Sequence, residues 1–205
     1  MEDLKRYKIK TKSELCEFLE YEYTRYRKYM FPTRFAYFRG KITKEPIIDI
    51  MKWQRSSRIA DYHYYTYRTK KNKWSHILYL WHTRKKNKIG NRIGLDISTT
   101  KIGKGLMIYH GNNVINYWTE IGENCELHGN CIIGNKGGGG ELHIIGCCPV
   151  IGNNVEIGAG AIVIGEIKIA NDVTIGANAV VVHSIKEPDC TIAGIPARKI
   201  KELNK

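Results

Sequence analysis

At 205 residues the chain is long enough to bury a core, as one domain or a domain with an appendage. Its formal net charge is +13; its six cysteines follow no disulfide-framework spacing, which sets aside a stapled secreted scaffold and leaves a reduced, cytoplasmic protein as the expectation. No apolar signal core follows "MEDLKRYKIK" and no apolar run nears 18 residues, so neither secretion nor a membrane span is expected.

The charge is split along the chain. Residues 1–95 hold 24 Lys and Arg against 9 Asp and Glu, and residues 96–205 hold 9 against 11. Eleven of the 13 tyrosines fall in the first part and 17 of the 20 glycines in the second. The change after "RKKNK" divides a basic, Tyr-rich region, residues 1–92, from a second region, residues 93–205.

Three helices are predicted in the first region. "TKSELCEFLEYEYTRYRKY" opens with Thr11 and Glu14 at capping-box spacing, and Leu15, Phe18, Leu19 and Tyr26 follow at helical intervals. "IIDIMKWQRSSRIADYHYYTY" and "NKWSHILYLWHTRKK" read as two more, the last with Trp74, Ile77, Leu78 and Trp81 at i, i+3, i+4 and i+7. Aromatics interleaved with cations suit nucleic acid or an anionic membrane surface. No nucleic-acid motif accompanies them, however. The expectation is a helical cap on the following region or on a sister subunit, with its cations in water.

The second region repeats every six residues. Ile151, Ile157, Val163, Ile169, Ile175 and Val181 form one column, and Val155, Ala161, Ile167, Val173, Ala179 and Ile185 a second. Large aliphatics alternate with Ala in the second column, as a narrow interior stacked coil on coil requires. Gly, Asn and Asp after the column residues tolerate left-handed backbone, so each unit reads as a short strand and a corner. The register continues upstream through Ile121, Leu127 and Ile133 and, after a one-residue slip, through Ile102, Ile108 and Val114. Cys125 and Cys131 fall in the second column and read as small buried residues. Such a period means a solenoid of parallel β coils.

The run "IGNNVEIGAGAIVIGEIKIANDVTIGANAVV" followed by "AGIPARKI" resembles the hexapeptide-repeat acyltransferases. "IGKGLMIYHG" and "PVIGNNVEIGAGA" bring it nearest to their serine acetyltransferase-like branch. The resemblance spans about residues 93–201. It implies a mainly β chain, a left-handed parallel β-helix preceded by an α-helical N-terminal region. It also implies O-acetyl transfer from acetyl-CoA, a homotrimer or dimer of trimers, and no metal.

In that family the His of the segment matching "YHG", here His110, is the general base toward an acceptor hydroxyl. A hydroxyl is a poor nucleophile near neutrality, and imidazole titrates where it can take the proton. Asp96, in "DISTTKIGKG", matches the family's acidic residue and would orient the imidazole, although its spacing to His110 is one residue short. Tyr109 stands where serine acetyltransferases carry Asp, and Cys147-Cys148-Pro149 where they carry Arg-His-Pro. "YHGNNVINYW" also lacks their G-E-T-A. Tyr109 and Cys148 would thus lie in the acceptor pocket without the groups that pair an ammonium, and Tyr109, Tyr117 and Trp118 suit a sugar ring. Serine is the first acceptor implied, and a sugar hydroxyl the second.

Coenzyme A would lie in a groove between subunits, lined by Gly158, Ala161 and Ala179, with Lys199 meeting a phosphate, and the basic surface would attract it. "GIPAR" is expected to peel the chain off the last coil, with Pro196 blocking further pairing. Histidines on a β-helix can also hold zinc, and His128 lies 18 residues after His110, nominally one coil on. The slip displaces the pair, however, and His143 falls in the insertion "NKGGGGELHIIG", read as an exposed loop. A metal-dependent hydratase and a non-catalytic scaffold are the remaining readings.

Overall fold

Thr11 starts the first long helix as its spacing requires. Its hydroxyl accepts from the Glu14 N–H at 3.2 Å, and the Glu14 carboxylate accepts from the Thr11 N–H at 2.8 Å. The structure, a computed structural model, describes residues 2–137 and 147–200. The reading of His143 and its glycine-rich approach lies outside those residues. Five helices come first: α1 (Glu2–Lys5), α2 (Lys12–Met30), α3 (Arg34–Thr43), α4 (Pro46–Lys70) and α5 (Lys73–Ile93). Two of them, α1 and α3, had no counterpart in the sequence reading; on α3, Phe35, Phe38 and Ile42 are exposed. α4 and α5 form a hairpin joined by ring contacts, Tyr67 on His76 at 4.2 Å and Tyr64 on Tyr79 at 4.9 Å. The apolar stripe of α5 is not the face that meets α4. Trp74, Ile77, Leu78 and Trp81 are exposed.

Gly94 ends α5 in the left-handed region, φ 68°, and the coils begin. One sheet stacks β1 (Leu95–Ile97), β3 (Asn113–Ile115), β6 (Ile132–Gly134), β9 (Ile162–Ile164) and β12 (Val180–Val181) in parallel. We call it face A. Face B holds β4 (Glu120–Ile121), β7 (Val150–Ile151) and β10 (Lys168–Ile169). Face C holds β2 (Met107–Ile108), β5 (Glu126–Leu127), β8 (Glu156–Ile157), β11 (Val173–Ile175) and β13 (Cys190–Gly194). Chain order runs A, B, C within each coil, and the interior columns are sealed. Ile157, Val163, Ile175, Cys125 and Cys131 are all 0% exposed. Asn112, Asn124, Asn130, Asn154, Asp172 and Asn178 take positive φ at the corners.

Three readings are corrected. Ile115, not Val114, takes the interior place on face A: it is 3% exposed and Val114 44%. The parallel register of Ile97 with Ile115 and of Ile115 with Ile133 makes each of these coils 18 residues long. A five-residue step from Ile97 to Ile102 is therefore offset by a seven-residue step from Ile108 to Ile115, and the extra residue falls at the corner carrying His110. Second, "GIPAR" does not peel away. β14 (Ala197–Lys199) folds back antiparallel onto β13 and covers the edge of the last coil. Third, a mainly β chain describes residues 95–199 only, since helices fill the sequence before them.

The first coil has no coil beneath it, and α2 and α4 supply its missing partners. Arg58, 0% exposed, ion-pairs with buried Glu22 at 2.6 Å. It also donates to three first-coil carbonyls: Thr99 and Ile102 at 2.9 Å and Gly103 at 2.7 Å. Gln54 donates to the Leu106 carbonyl at 2.9 Å while accepting from the Tyr26 hydroxyl, which in turn accepts from the Ile108 N–H at 3.0 Å. The Ile102, Gly103 and Leu106 carbonyls and the Ile108 N–H are buried backbone groups that these side chains satisfy, while the Thr99 carbonyl also accepts from the Ile102 N–H.

Truncating one partner of such a buried pair leaves a stranded charge. Arg58→Ala should therefore lower the unfolding free energy by about 3–5 kcal/mol in chemical denaturation. A loss below about 1 kcal/mol would show that the coil does not depend on this clamp. A second expectation concerns pH. Burial first, then neighbouring His63, Lys85 and Arg55, push the His82 imidazole down to about 4. The unfolded chain therefore binds the extra proton between pH 6.5 and 4, and stability falls as pH drops through that window. Melting temperature should fall from pH 7.5 to 5, and by less in His82→Leu. An equal fall in both would exclude His82 as a source.

Candidate active site

The corner joining β2 to β3 holds His110 by its backbone and leaves its ring exposed. Buried Asn113 donates to the His110 carbonyl at 2.8 Å and accepts from the Cys131 N–H at 3.0 Å, tying that corner to the next coil. Gly129 (φ +113°) lies above it, and a Cβ there would come within 2.7 Å of the His110 Cβ. That glycine is required for the imidazole corner to stack. Among the described residues, no side-chain hydrogen bond engages the His110 ring.

Asp96 is also exposed and outward on face A. It lies in a depression of about 320 Å³ with Lys86, Asn87 and Asn91 of α5. No hydrogen bond joins it to His110, so the expected dyad is not assembled in the single chain. In register with Asp96 along face A lie Val114, Ile132, Ile162 and Val180, an outward apolar row, with Ile132 46% exposed.

Tyr109 lies against face C. Its ring stacks on His128 at 4.7 Å and 9°, and its hydroxyl donates to Glu126 at 2.8 Å. Burial and that carboxylate push the Tyr109 phenol up to about 12. Glu126 pairs with Arg25 of α2 at 2.5 Å, and the His128 imidazole Nε2 meets Glu156 at 2.8 Å. His128 is therefore part of a polar ladder rather than a partner of His110. Glu126 and Glu156 went unremarked in the sequence, although both stand directly before an interior column residue, an outward position on their strands.

Cys148 and Trp118 sit at the other end of face A, at the corner between β3 and β4 and the coil above it. Cys148 is 5% exposed beside Thr119, and burial raises its thiol. The Trp118 ring lies 3.9 Å from the Lys101 ammonium, with Tyr117 at 4.5 Å. Neither is beside His110 within one chain. Of the residues expected around coenzyme A, Ala161 and Ala179 are corrected: both are 0% exposed. Their carbonyls accept from Ile132 and Ile162, and their N–H groups donate within their own corners. Gly158 packs backbone to backbone on Ala177, where a Cβ would come within 2.6 Å of the Ala177 nitrogen. Lys199 is exposed and pairs with Glu187 at 2.6 Å. Among the described residues no group of three His, Cys, Asp or Glu side chains is placed to hold a metal ion.

Residues 148–183 match the family model for the bacterial transferase hexapeptide, six repeats. The late coils are thus similar to bacterial transferase hexapeptides. Serine acetyltransferase from Synechococcus elongatus is 39% identical over 102 residues, 49% of this chain and 39% of that protein. Serine acetyltransferase from Helicobacter pylori strain 26695 is 44% identical over 69 residues, 33% and 37% of the two chains. The chain thus matches under half the length of these curated relatives. Among solved structures, soybean serine acetyltransferase apoenzyme aligns at TM-score 0.65 and 24% identity, over 91% of this chain and 69% of that one. The Brucella abortus strain S19 serine acetyltransferase solved with coenzyme A aligns at 0.65 and 21%, over 94% and 70%. These likenesses bear out the resemblance to the serine acetyltransferase-like branch. They imply left-handed coils with a helical N-terminal region.

Proposed function

We propose that this protein is an acetyl-CoA-dependent O-acetyltransferase in which His110 is the general base. The observation that carries the reading is an exposed imidazole, fixed through its backbone, on a hexapeptide coil similar to those of serine acetyltransferases. With its ring free of side-chain hydrogen bonds among the described residues, His110 can take the proton from an acceptor hydroxyl as the oxygen attacks the thioester carbonyl. The tetrahedral oxyanion collapses, the C–S bond breaks, and the His110 imidazolium returns its proton to the sulfur, so coenzyme A leaves as the thiol. Asp96 is proposed as the group that orients the imidazole in the assembled enzyme, with residues 1–92 as cap and 93–205 as the transferase region.

The site is proposed to close only in a homotrimer, alone or paired as a dimer of trimers. His110 and the Cys148–Trp118 corner lie at opposite ends of face A in one chain, so a pocket containing both needs two subunits. The apolar row through Val114 and Ile132 is the surface proposed to join them. Coenzyme A would lie along that seam near Gly158 and Lys199, in a cytoplasmic enzyme.

Serine is the acceptor that the relatives suggest. A sugar hydroxyl is the second reading, favoured by one observation: Tyr109 and Cys148 offer no free charge for an ammonium, since the Tyr109 hydroxyl is committed to Glu126 and the Cys148 thiol is buried.

Thiol release from acetyl-CoA across serine, homoserine and a panel of sugars tests the activity. Release with none of them, together with no coenzyme A binding, would leave the scaffold reading in its place. His110→Ala should cut turnover by about 10² or more with coenzyme A affinity near normal; retention of over half the wild-type rate would eliminate His110 as base. Ile132→Lys, at an exposed position, should give a folded monomer by light scattering with activity lost. An active Ile132→Lys monomer would contradict the intersubunit site.

A further inference from the structure

We propose that the α4–α5 hairpin docks on an anionic lipid bilayer through the exposed face of α5. Trp74 is 76% exposed, Trp81 56% and Ile77 55%, with Leu78 beside them. At 100° per residue these four share one face, and Lys85, Lys88 and Arg92 continue it toward the C-terminal end of the helix. The opposite face is occupied by α4 through His76, Tyr79 and His82. Trp74 lies at the hairpin tip, about 24 Å along the helix from Gly90, where α5 meets Leu95. The apolar patch thus stands at the far end of the helical region from the coils.

Charge decides among the possible occupants. From residue 62 to residue 95 there are nine Lys and Arg and no Asp or Glu. Lys70, Lys71 and Lys73 bracket the apolar patch on one side and Arg84, Lys85 and Lys88 on the other, all exposed. The nearest acids lie at the coil end of the hairpin, away from the apolar patch: Asp61 accepts from Thr99, Asp49 holds Arg92 at 2.6 Å, and Asp96 shares a depression with Lys86. A second copy of this hairpin would bring one unneutralised cationic rim against another, which opposes self-association. A bilayer with anionic headgroups offers the complement of both parts. Interfacial Trp and aliphatic side chains enter the headgroup boundary, while the lysines meet phosphate. Lys85 already lies 5.5 Å over the Trp81 ring, the side-by-side arrangement of cation and indole that such an interface uses. Nothing in α5 spans: no helix of the described residues is long and apolar enough to cross a membrane.

The test uses the whole protein with vesicles of phosphatidylcholine, with and without phosphatidylglycerol, read by co-sedimentation and tryptophan emission. Expected is binding to the phosphatidylglycerol vesicles alone, weakened by salt, with a blue shift in emission. Trp74→Ser/Trp81→Ser and, separately, Lys85→Glu/Lys88→Glu should each weaken it by about tenfold or more. All four positions are exposed, and circular dichroism verifies that the helices persist. Three results would overturn the proposal. One is no binding, or equal binding to pure phosphatidylcholine. Another is undiminished binding by either double variant. The third is evidence for another occupant: a smaller assembly for the Trp variant than for wild type in light scattering, or retention of duplex DNA without vesicle binding. Thiol release plays no part in this test, so its outcome is separate from that of the transferase reading.

Discussion

A stack of β coils must end somewhere, and at its first coil the guanidinium of Arg58 takes the place of a preceding coil. Backbone carbonyls at the open end of such a stack have no partner below them, and burying them unpaired costs several kcal/mol in sum. Arg58 answers three of them with one rigid, always-charged group, and Glu22 neutralises it in place. Gln54 and Tyr26 do the same for Leu106 and Ile108 at the other end of the coil. The antiparallel strand β14 performs the corresponding task at the last coil. The helical region is therefore part of what allows the coils to begin at Leu95.

That dependence reaches the candidate site within a few residues. Ile108, whose N–H is held by Tyr26, is two positions before His110, and the Ile93 carbonyl at the end of α5 accepts from Asn112 two positions after it. The imidazole corner is therefore anchored from the helices on both sides and from Cys131 above. This is the kind of support a general base needs, because misplacement by about 1 Å can cost two powers of ten in rate. The region's large positive charge has a different location. Its buried cation is spent on the cap, while the uncompensated ones lie outside, densest around the exposed face of α5.

The coils were legible because a narrow interior imposes an aliphatic residue at every sixth position, and neither the helical nor the strand period produces that column. Helices α2, α4 and α5 were legible from periodicity and the capping box, and α3 was not. Val114 was misplaced because "VI" offers two aliphatics in succession and the pattern does not say which one faces in. Only the register with Ile97 and Ile133 decides it. Arg58 could not be singled out among 24 basic residues of its half, since a buried clamp and a solvated cation have the same letter. Tyr109 was legible as a neighbour of His110, but its stacking on His128 and its hydrogen bond to Glu126 depend on the next coil and could not be read from one segment. Ala161 and Ala179 were legible as interior residues, and the backbone groups through which they were expected to line a groove are hydrogen-bonded between and within coils. The stripe on α5 was read correctly as a helix face; of the two partners expected for the cap, the following coils or a sister subunit, the coils do not cover it.

The account's central claim is that the helical cap makes the first coil as firm as the inner ones and so fixes the corner that presents His110. Amide hydrogen exchange of the intact protein, resolved by segment, measures this directly. Segment 102–115 should exchange as slowly as segment 150–176 in wild type, and faster than it in Arg58→Met. If segment 102–115 already exchanges like a frayed end in wild type, the coil is not held by the cap and the site must be positioned by some other means.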